Sequence, residues 1–211
     1  MNRRNYQKEL EEVITELKEQ EKVPRLLLHS CCAPCSSYVL EYLSRYFKIT
    51  VYFYNPNIYP PEEYGKRVKE QERLIAGMKF LHPVTMETGA YEPDEFYRIV
   101  KGLEKEPEGG ERCFKCYELR LSEAAKVAQA GRFDYFTTTL SISPLKNADK
   151  LIEIGEKLAR EYRVSYLPSD FKKKNGYKRS AELSAEYGLY RQDYCGCVFS
   201  QREKPVISEV S

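Results

Sequence analysis

The chain has 211 residues, enough for one α/β domain with a full core, and its 42% hydrophobic and 31% charged residues suit a soluble globular protein. A net charge of +2 is too small to announce a nucleic-acid partner, and no apolar run approaches the roughly 20 residues of a membrane span. The stretch Met1–Lys8 is basic but leads into charged amphipathic sequence, not the apolar core of a secretion signal, so a cytoplasmic location is the default.

Residues 5–20 place Leu10, Val13, Ile14 and Leu17 on one helical face. Arg25–His29 reads as a short buried strand, Ala33–Tyr46 as a helix, and Ile49–Tyr54 as a β-branched and aromatic strand. The prolines between Asn55 and Pro61 require a loop. A helix over Glu62–Met78, a short strand over Pro83–Met86 and a helix over Asp94–Leu103 follow. Glu104–Arg112, charged and with paired glycines, reads as a loop. Cys113–Ala130 is a helix stopped by Gly131. Phe133–Thr139 is the third clear strand, Asn147–Tyr162 a helix, Pro168–Lys174 a basic loop, and residues 176–187 a helix ending at Gly188. Strands alternating with helices predict a parallel sheet with helices on both faces. We expect a single α/β domain over 1–211, with an irregular Cys-containing C-terminal segment (about 188–211).

Cysteine is the strongest compositional signal. Reducing compartments disfavour structural disulfides, and seven is an odd count, so metal or redox chemistry is the expected use. Cys31, Cys32 and Cys35 follow the first strand, where parallel sheets bind ligands. Cys113 and Cys116 form a CxxC at a helix start, where the helix dipole favours thiolates. Cys195 and Cys197 are two residues apart; a disulfide between them would be strained and readily reduced, which suits a redox-active pair. The bland reading, buried small hydrophobes, is improbable for three groups together. Only His29 and His82 could add imidazole, and a core role suits His29 better than a metal-linked one. Thiolates without imidazole favour iron–sulfur over catalytic zinc, although four-thiolate zinc stays open on residues alone.

The segments His29–Ser36, Tyr54–Ile58, Arg112–Leu121, Thr137–Lys146 and Tyr190–Cys197, with CCxPC, CxxC and YCGC among them, together resemble the cobalamin-independent epoxyqueuosine reductases, the QueH family. The resemblance runs from about residue 24 to 200. It implies reduction of epoxyqueuosine to queuosine at the tRNA wobble base, a four-iron [4Fe-4S] cluster, and a fold similar to the adenine-nucleotide alpha hydrolase (HUP) superfamily. Ser30–Cys35 lacks the glycine-rich phosphate loop of nucleotide-binding members of that superfamily.

The working assignment gives the cluster Cys31, Cys32, Cys113 and Cys116, with Cys35 in reserve; preferring Cys31 and Cys32 to Cys35 rests on the resemblance. Cys195 and Cys197 are then a redox-active dithiol or ligands to an additional iron. Asp193 is a candidate proton donor or metal ligand, a solvated surface Asp being the plainer alternative. An anticodon loop is met by stacking and phosphate contacts. Lys172, Lys173, Lys174, Lys178 and Arg179 form the densest basic run, interleaved with Tyr177, Tyr187, Tyr190 and Tyr194. A solvated basic loop is the equal alternative. An external electron donor such as a flavodoxin- or ferredoxin-like protein completes the expected partners. Competing readings are an ATP-dependent tRNA thiolase on the same scaffold, a zinc-stabilised RNA-binding module, and a thiol–disulfide oxidoreductase using Cys32 and Cys35.

Overall fold

Three successive leucines build the centre of the molecule. Side chains on a strand alternate between its faces, and accordingly Leu26 and Leu28 enter one apolar cluster while Leu27 enters the other. Both faces of that strand are therefore buried, as in a parallel sheet covered by helices. The structure is a computed structural model and describes residues 4–201. Residues 1–3 of the basic N-terminal stretch and 202–211 of the C-terminal segment lie outside the described residues.

Strands β1 (Arg25–His29), β2 (Lys48–Phe53), β3 (Val84–Thr88), β4 (Tyr135–Thr138) and β5 (Ser165–Tyr166) pair in the order β3-β2-β1-β4-β5, every pair parallel. One face carries α1 (Tyr6–Glu19), α2 (Ala33–Leu43) and α3 (Pro61–Gly77), through Leu10, Ile14, Leu40, Leu43 and Leu74. The other carries α5 (Glu111–Ala130) and α6 (Ala148–Tyr162), through Leu121, Ala124, Ala125, Leu151 and Leu158. The small residues at 124, 125 and 128 let α5 lie close to the sheet. The short helix α4 (Pro93–Ile99) precedes α5, and α7 (Gly176–Glu186) packs on α2.

The chain moves outward from β1 to β2 and β3, then returns to β4 on the opposite side of β1. The order reverses between β1 and β4, and a crevice opens at their carboxyl ends, the usual ligand position in such sheets. Among the described residues no helix is long and apolar enough to cross a membrane.

Four local expectations change. α4 ends at Ile99, short of Leu103, because the chain turns through Gly102 at φ +87°. β4 stops at Thr138, whose hydroxyl accepts from the Leu140 amide at 3.1 Å and caps a 3-10 turn over Thr139–Ile142. β5 is a strand of two residues, too short to show any alternation; its Tyr166 ring lies where a Cβ on Gly155 would stand, 2.5 Å away, so only glycine lets α6 approach there. The C-terminal segment is not wholly irregular: α8 (Val198–Gln201) follows the last cysteines.

Candidate metal and thiol site

β1 ends at His29, which is fully buried and accounted for. Its Nε2–H donates to the Tyr54 carbonyl at 3.1 Å and its Nδ1 accepts the Thr138 hydroxyl at 2.8 Å. Burial, with the nearby Arg120 charge, lowers its pKa to about 3, so the ring is neutral and belongs to the core. Beyond it, Cys32 sits at the N-cap of α2 in extended conformation, with Pro34 in the first turn. Four buried contacts fix this bend. Ser30 N donates to the Tyr52 carbonyl at 3.0 Å, and the Gln71 side-chain amide joins the Ser30 and Ser36 hydroxyls at 2.8 Å each. Asn55 Nδ2 donates to the Ser30 carbonyl at 2.8 Å, while its Oδ1 accepts from Arg120 at 2.5 Å. The result brings the Sγ atoms of Cys31, Cys32 and Cys35 within 4.8 Å of one another.

Cys113 and Cys116 stand in the first two turns of α5. The Gly109 amide donates to Cys113 Sγ at 3.2 Å and Arg120 Nη1 to Cys116 Sγ at 3.9 Å. The helix start was expected to favour thiolates here. Instead burial pushes both thiols up, and that penalty exceeds the help from Gly109, Lys146 and Arg120. Without a cation these sulfurs hold their protons.

Cys195 and Cys197 arrive on the segment after α7. Hydrogen bonding from Cys197 pulls the Cys195 thiol down to about 5 against the effect of burial, with Lys146 and the Ser200 hydroxyl assisting, and Cys197 is pushed up in return. The same asymmetry holds in the first group. Cys31 falls because Cys32 and Cys35 donate to it, Cys32 rises to about 12, and Cys35 rises well above the usual thiol value. Each group accepts one negative charge and resists the next; a bound cation reverses that resistance. All seven cysteines are free thiols.

The three groups meet. One cavity of about 420 Å³ is lined by Cys31, Cys35, Cys113, Cys116, Cys195 and Cys197, with Cys32 joined to it through its contact with Cys31 at 3.7 Å. Arg67, Arg112, Arg120 and Lys146 line it as well. The buried atoms Asn57 Oδ1, Tyr117 OH, Arg120 Nε and Gln192 Oε1 on its walls have no hydrogen-bond partner among the described residues. Buried polar atoms are rarely left so, and several around one cavity mark a place made for a polar occupant. Thiolate donors, cationic walls and orphaned polar atoms fit an anionic, thiolate-held metal cluster.

Of the other predicted residues, Asp193 lines the same cavity. The basic run divides. Lys172, Lys173 and Lys174 line a separate surface groove that also contains Lys146, where Lys172 pairs with Asp170 at 2.7 Å and Lys174 with Glu11. Lys178 and Arg179 lie on α7, Arg179 held by Glu41 at 2.6 Å. Tyr177 is exposed beside Cys35 in a small cleft. Tyr190 turns back onto α3, its hydroxyl donating to Glu63 at 3.1 Å. Sequence reasoning missed Asn55, Arg67, Gln71, Arg120 and Lys146. Each looks like an ordinary polar residue in its element, and only burial reveals it.

The comparisons with known proteins decide the family. The family described as epoxyqueuosine reductase QueH matches residues 26–203. The chain belongs to that family. It is thereby an oxidoreductase. Relatives called epoxyqueuosine reductase QueH include one from Staphylococcus epidermidis, 44% identical over 96% of this chain and 87% of the relative. Another, from Streptococcus pyogenes, is 43% identical over 94% and 78%. A third, from Thermotoga maritima, is 36% identical over 85% and 91%.

Proposed function

We propose that this chain, acting as a single catalytic domain in the cytoplasm, reduces epoxyqueuosine at the wobble position of tRNA to queuosine, the last step of queuosine biosynthesis. The observation that carries this reading is the meeting of three distant cysteine groups in one cavity at the switch point of the sheet. Two electrons and two protons enter, both C–O bonds of the epoxide break, an alkene forms and the oxygen leaves as water.

Cys31, Cys32, Cys113 and Cys116 hold a [4Fe-4S] cluster, with Cys35 as the spare ligand. Thiols spread around a cavity wall suit a multi-atom cluster better than a single ion, for which only Cys31, Cys32 and Cys35 are close enough among the described residues. When bound, the cluster supplies single electrons and Lewis-acidic iron. Arg67, Arg120 and Lys146 offset its negative charge, and their burial keeps water from screening them. Cys195 and Cys197 form a redox-active dithiol, with ligation of an additional iron as the second role open to them. Asp193 relays a proton to the departing oxygen.

A flavodoxin- or ferredoxin-like protein supplies the electrons, and Lys172, Lys173 and Lys174 contact the RNA backbone. The strand order and the position of the cavity support kinship with the adenine-nucleotide alpha hydrolase scaffold, thiols standing where a phosphate loop would lie. The test is incubation of anaerobically purified protein and a reductant with epoxyqueuosine-containing tRNA, followed by nucleoside mass analysis. Stoichiometric queuosine is expected. Unchanged epoxyqueuosine with an iron-loaded protein would refute the reading.

A further inference from the structure

α3 grips the segment that carries the last cysteines. Residues 63, 67, 70 and 73 form a stripe at helical spacing, and each has a contact in the segment 187–196. Arg73 donates to the carbonyls of Tyr187 and Gly188 at 3.0 Å each, and Glu70 accepts from the Tyr190 amide at 2.6 Å. Glu63 accepts the Tyr190 hydroxyl. Of these three, Arg73 is exposed and the two glutamates are partly buried. Arg67 lies deeper: it is 2% exposed and lines the cavity.

The Arg67 guanidinium makes three contacts at once. Nε donates to Glu63 Oε1 at 2.7 Å, Nη1 to the Cys195 carbonyl at 3.2 Å and Nη2 to the Tyr194 carbonyl at 3.4 Å. Gly196 turns at φ +100° against it; a Cβ there would lie 3.1 Å from Arg67 Nη1 and 2.8 Å from Ile58 Cγ1. The next contact of the segment is the Gly196 carbonyl, which accepts the Tyr59 amide at 2.8 Å. Cys195 therefore reaches the cavity on a turn held from one side by a buried fork of donors and from the other by the Gly196 carbonyl and by the Tyr194 hydroxyl, which donates to the Tyr59 carbonyl at 2.6 Å.

We propose that Arg67 is the positioning residue that sets Cys195 and Cys197 against the cavity, by fixing the two carbonyls that precede Gly196. The planar fork is what performs this task. Lysine in its place keeps the charge and can pair with Glu63, but one ammonium cannot hold both carbonyls as well. Any effect on turnover rests on the reductase reading above, while the fixing of the turn does not.

The test uses the iron-loaded full chain carrying Arg67→Lys, and separately Gly196→Ala, which pushes the turn off an intact Arg67. Amide hydrogen exchange at Tyr59 reports whether the Gly196 carbonyl stays docked, and the β1 amides serve as the internal standard. In both variants Tyr59 exchange should rise at least tenfold with β1 unchanged. The kcat for epoxyqueuosine-tRNA should fall at least tenfold, with KM within about twofold. The double variant should be no worse than the worse single one, since both break the same contact. Arg67→Lys with parental Tyr59 protection and kcat would overturn the proposal, because charge alone would then suffice. If Arg67→Lys does not fold, Gly196→Ala decides: local deprotection with slowed turnover supports the proposal, and parental behaviour overturns it. Deprotection in a chain that lacks reductase activity would uphold the positioning role while refuting the function.

Discussion

The first and last cysteine groups occupy one cavity but are built in opposite ways. Cys31, Cys32 and Cys35 stand at the end of the central strand, and Ser30, Ser36, Asn55 and Gln71, all fully buried, lock the bend that presents them. Cys195 and Cys197 hang on a segment outside the sheet, attached mainly by α3 side chains that reach its backbone. The first group cannot move without disturbing β1 and β2. The last is bonded to α3 and to the loop before it and, among the described residues, to no strand of the sheet through its backbone. A site built this way pairs a platform of thiols fixed on the sheet, close enough together to hold a metal, with thiols carried on an outlying arm.

The largest break in that contrast should come from the core beneath the platform. Leu28→Ala, at a fully buried position, should cost about 2–5 kcal/mol of global stability, read by denaturant unfolding. Next comes the bend itself. Asn55→Ala strands the Ser30 carbonyl and one Arg120 donor, and should cost about 1–3 kcal/mol while lowering bound iron. A variant with parental stability would show that the bend does not need this link. On the arm, Tyr194→Phe removes one hydroxyl contact to the Tyr59 carbonyl, 2.6 Å long and exposed. It should cost at most about 1 kcal/mol, with any change confined to local exchange near residue 59. A global loss as large as that of Leu28→Ala would erase the distinction between platform and arm. Smallest in the absence of RNA should be the effect of replacing Lys172, Lys173 and Lys174 with Ala: stability unchanged, but tRNA affinity weaker and its salt dependence flatter. An unchanged salt slope would remove these lysines from the RNA surface.

The parallel sheet was legible because its strands are β-branched or apolar runs separated by long amphipathic helices. β5 was not, since two residues hold no period. The three cysteine groups were legible as chemistry, and the place of the first directly after β1 pointed to the crevice. The cations around them were hidden: Arg67 and Arg120 fall inside segments read as helices and Arg112 ends a charged loop, and nothing in the linear sequence shows that the fold buries all three at 2–4% exposure. The raised pKa of the metal-free Cys113 and Cys116 thiols was hidden for a related reason: a linear sequence shows a helix start but not the desolvation that opposes it. Tyr190 and Tyr194 stood out in the sequence only as aromatics interleaved with the basic run; their hydroxyls also fasten the arm, through Glu63 and the Tyr59 carbonyl.

The central claim is that thiols from remote segments serve a single inorganic centre. Anaerobic purification of Cys31→Ser and Cys113→Ser, one change from each of two segments, with iron and acid-labile sulfide quantitation beside the parent, tests it directly. The parent should carry about four irons and four sulfides per chain, and each variant should lose most of both. A parent holding zinc and no sulfide, or variants that keep the parental iron, would contradict it.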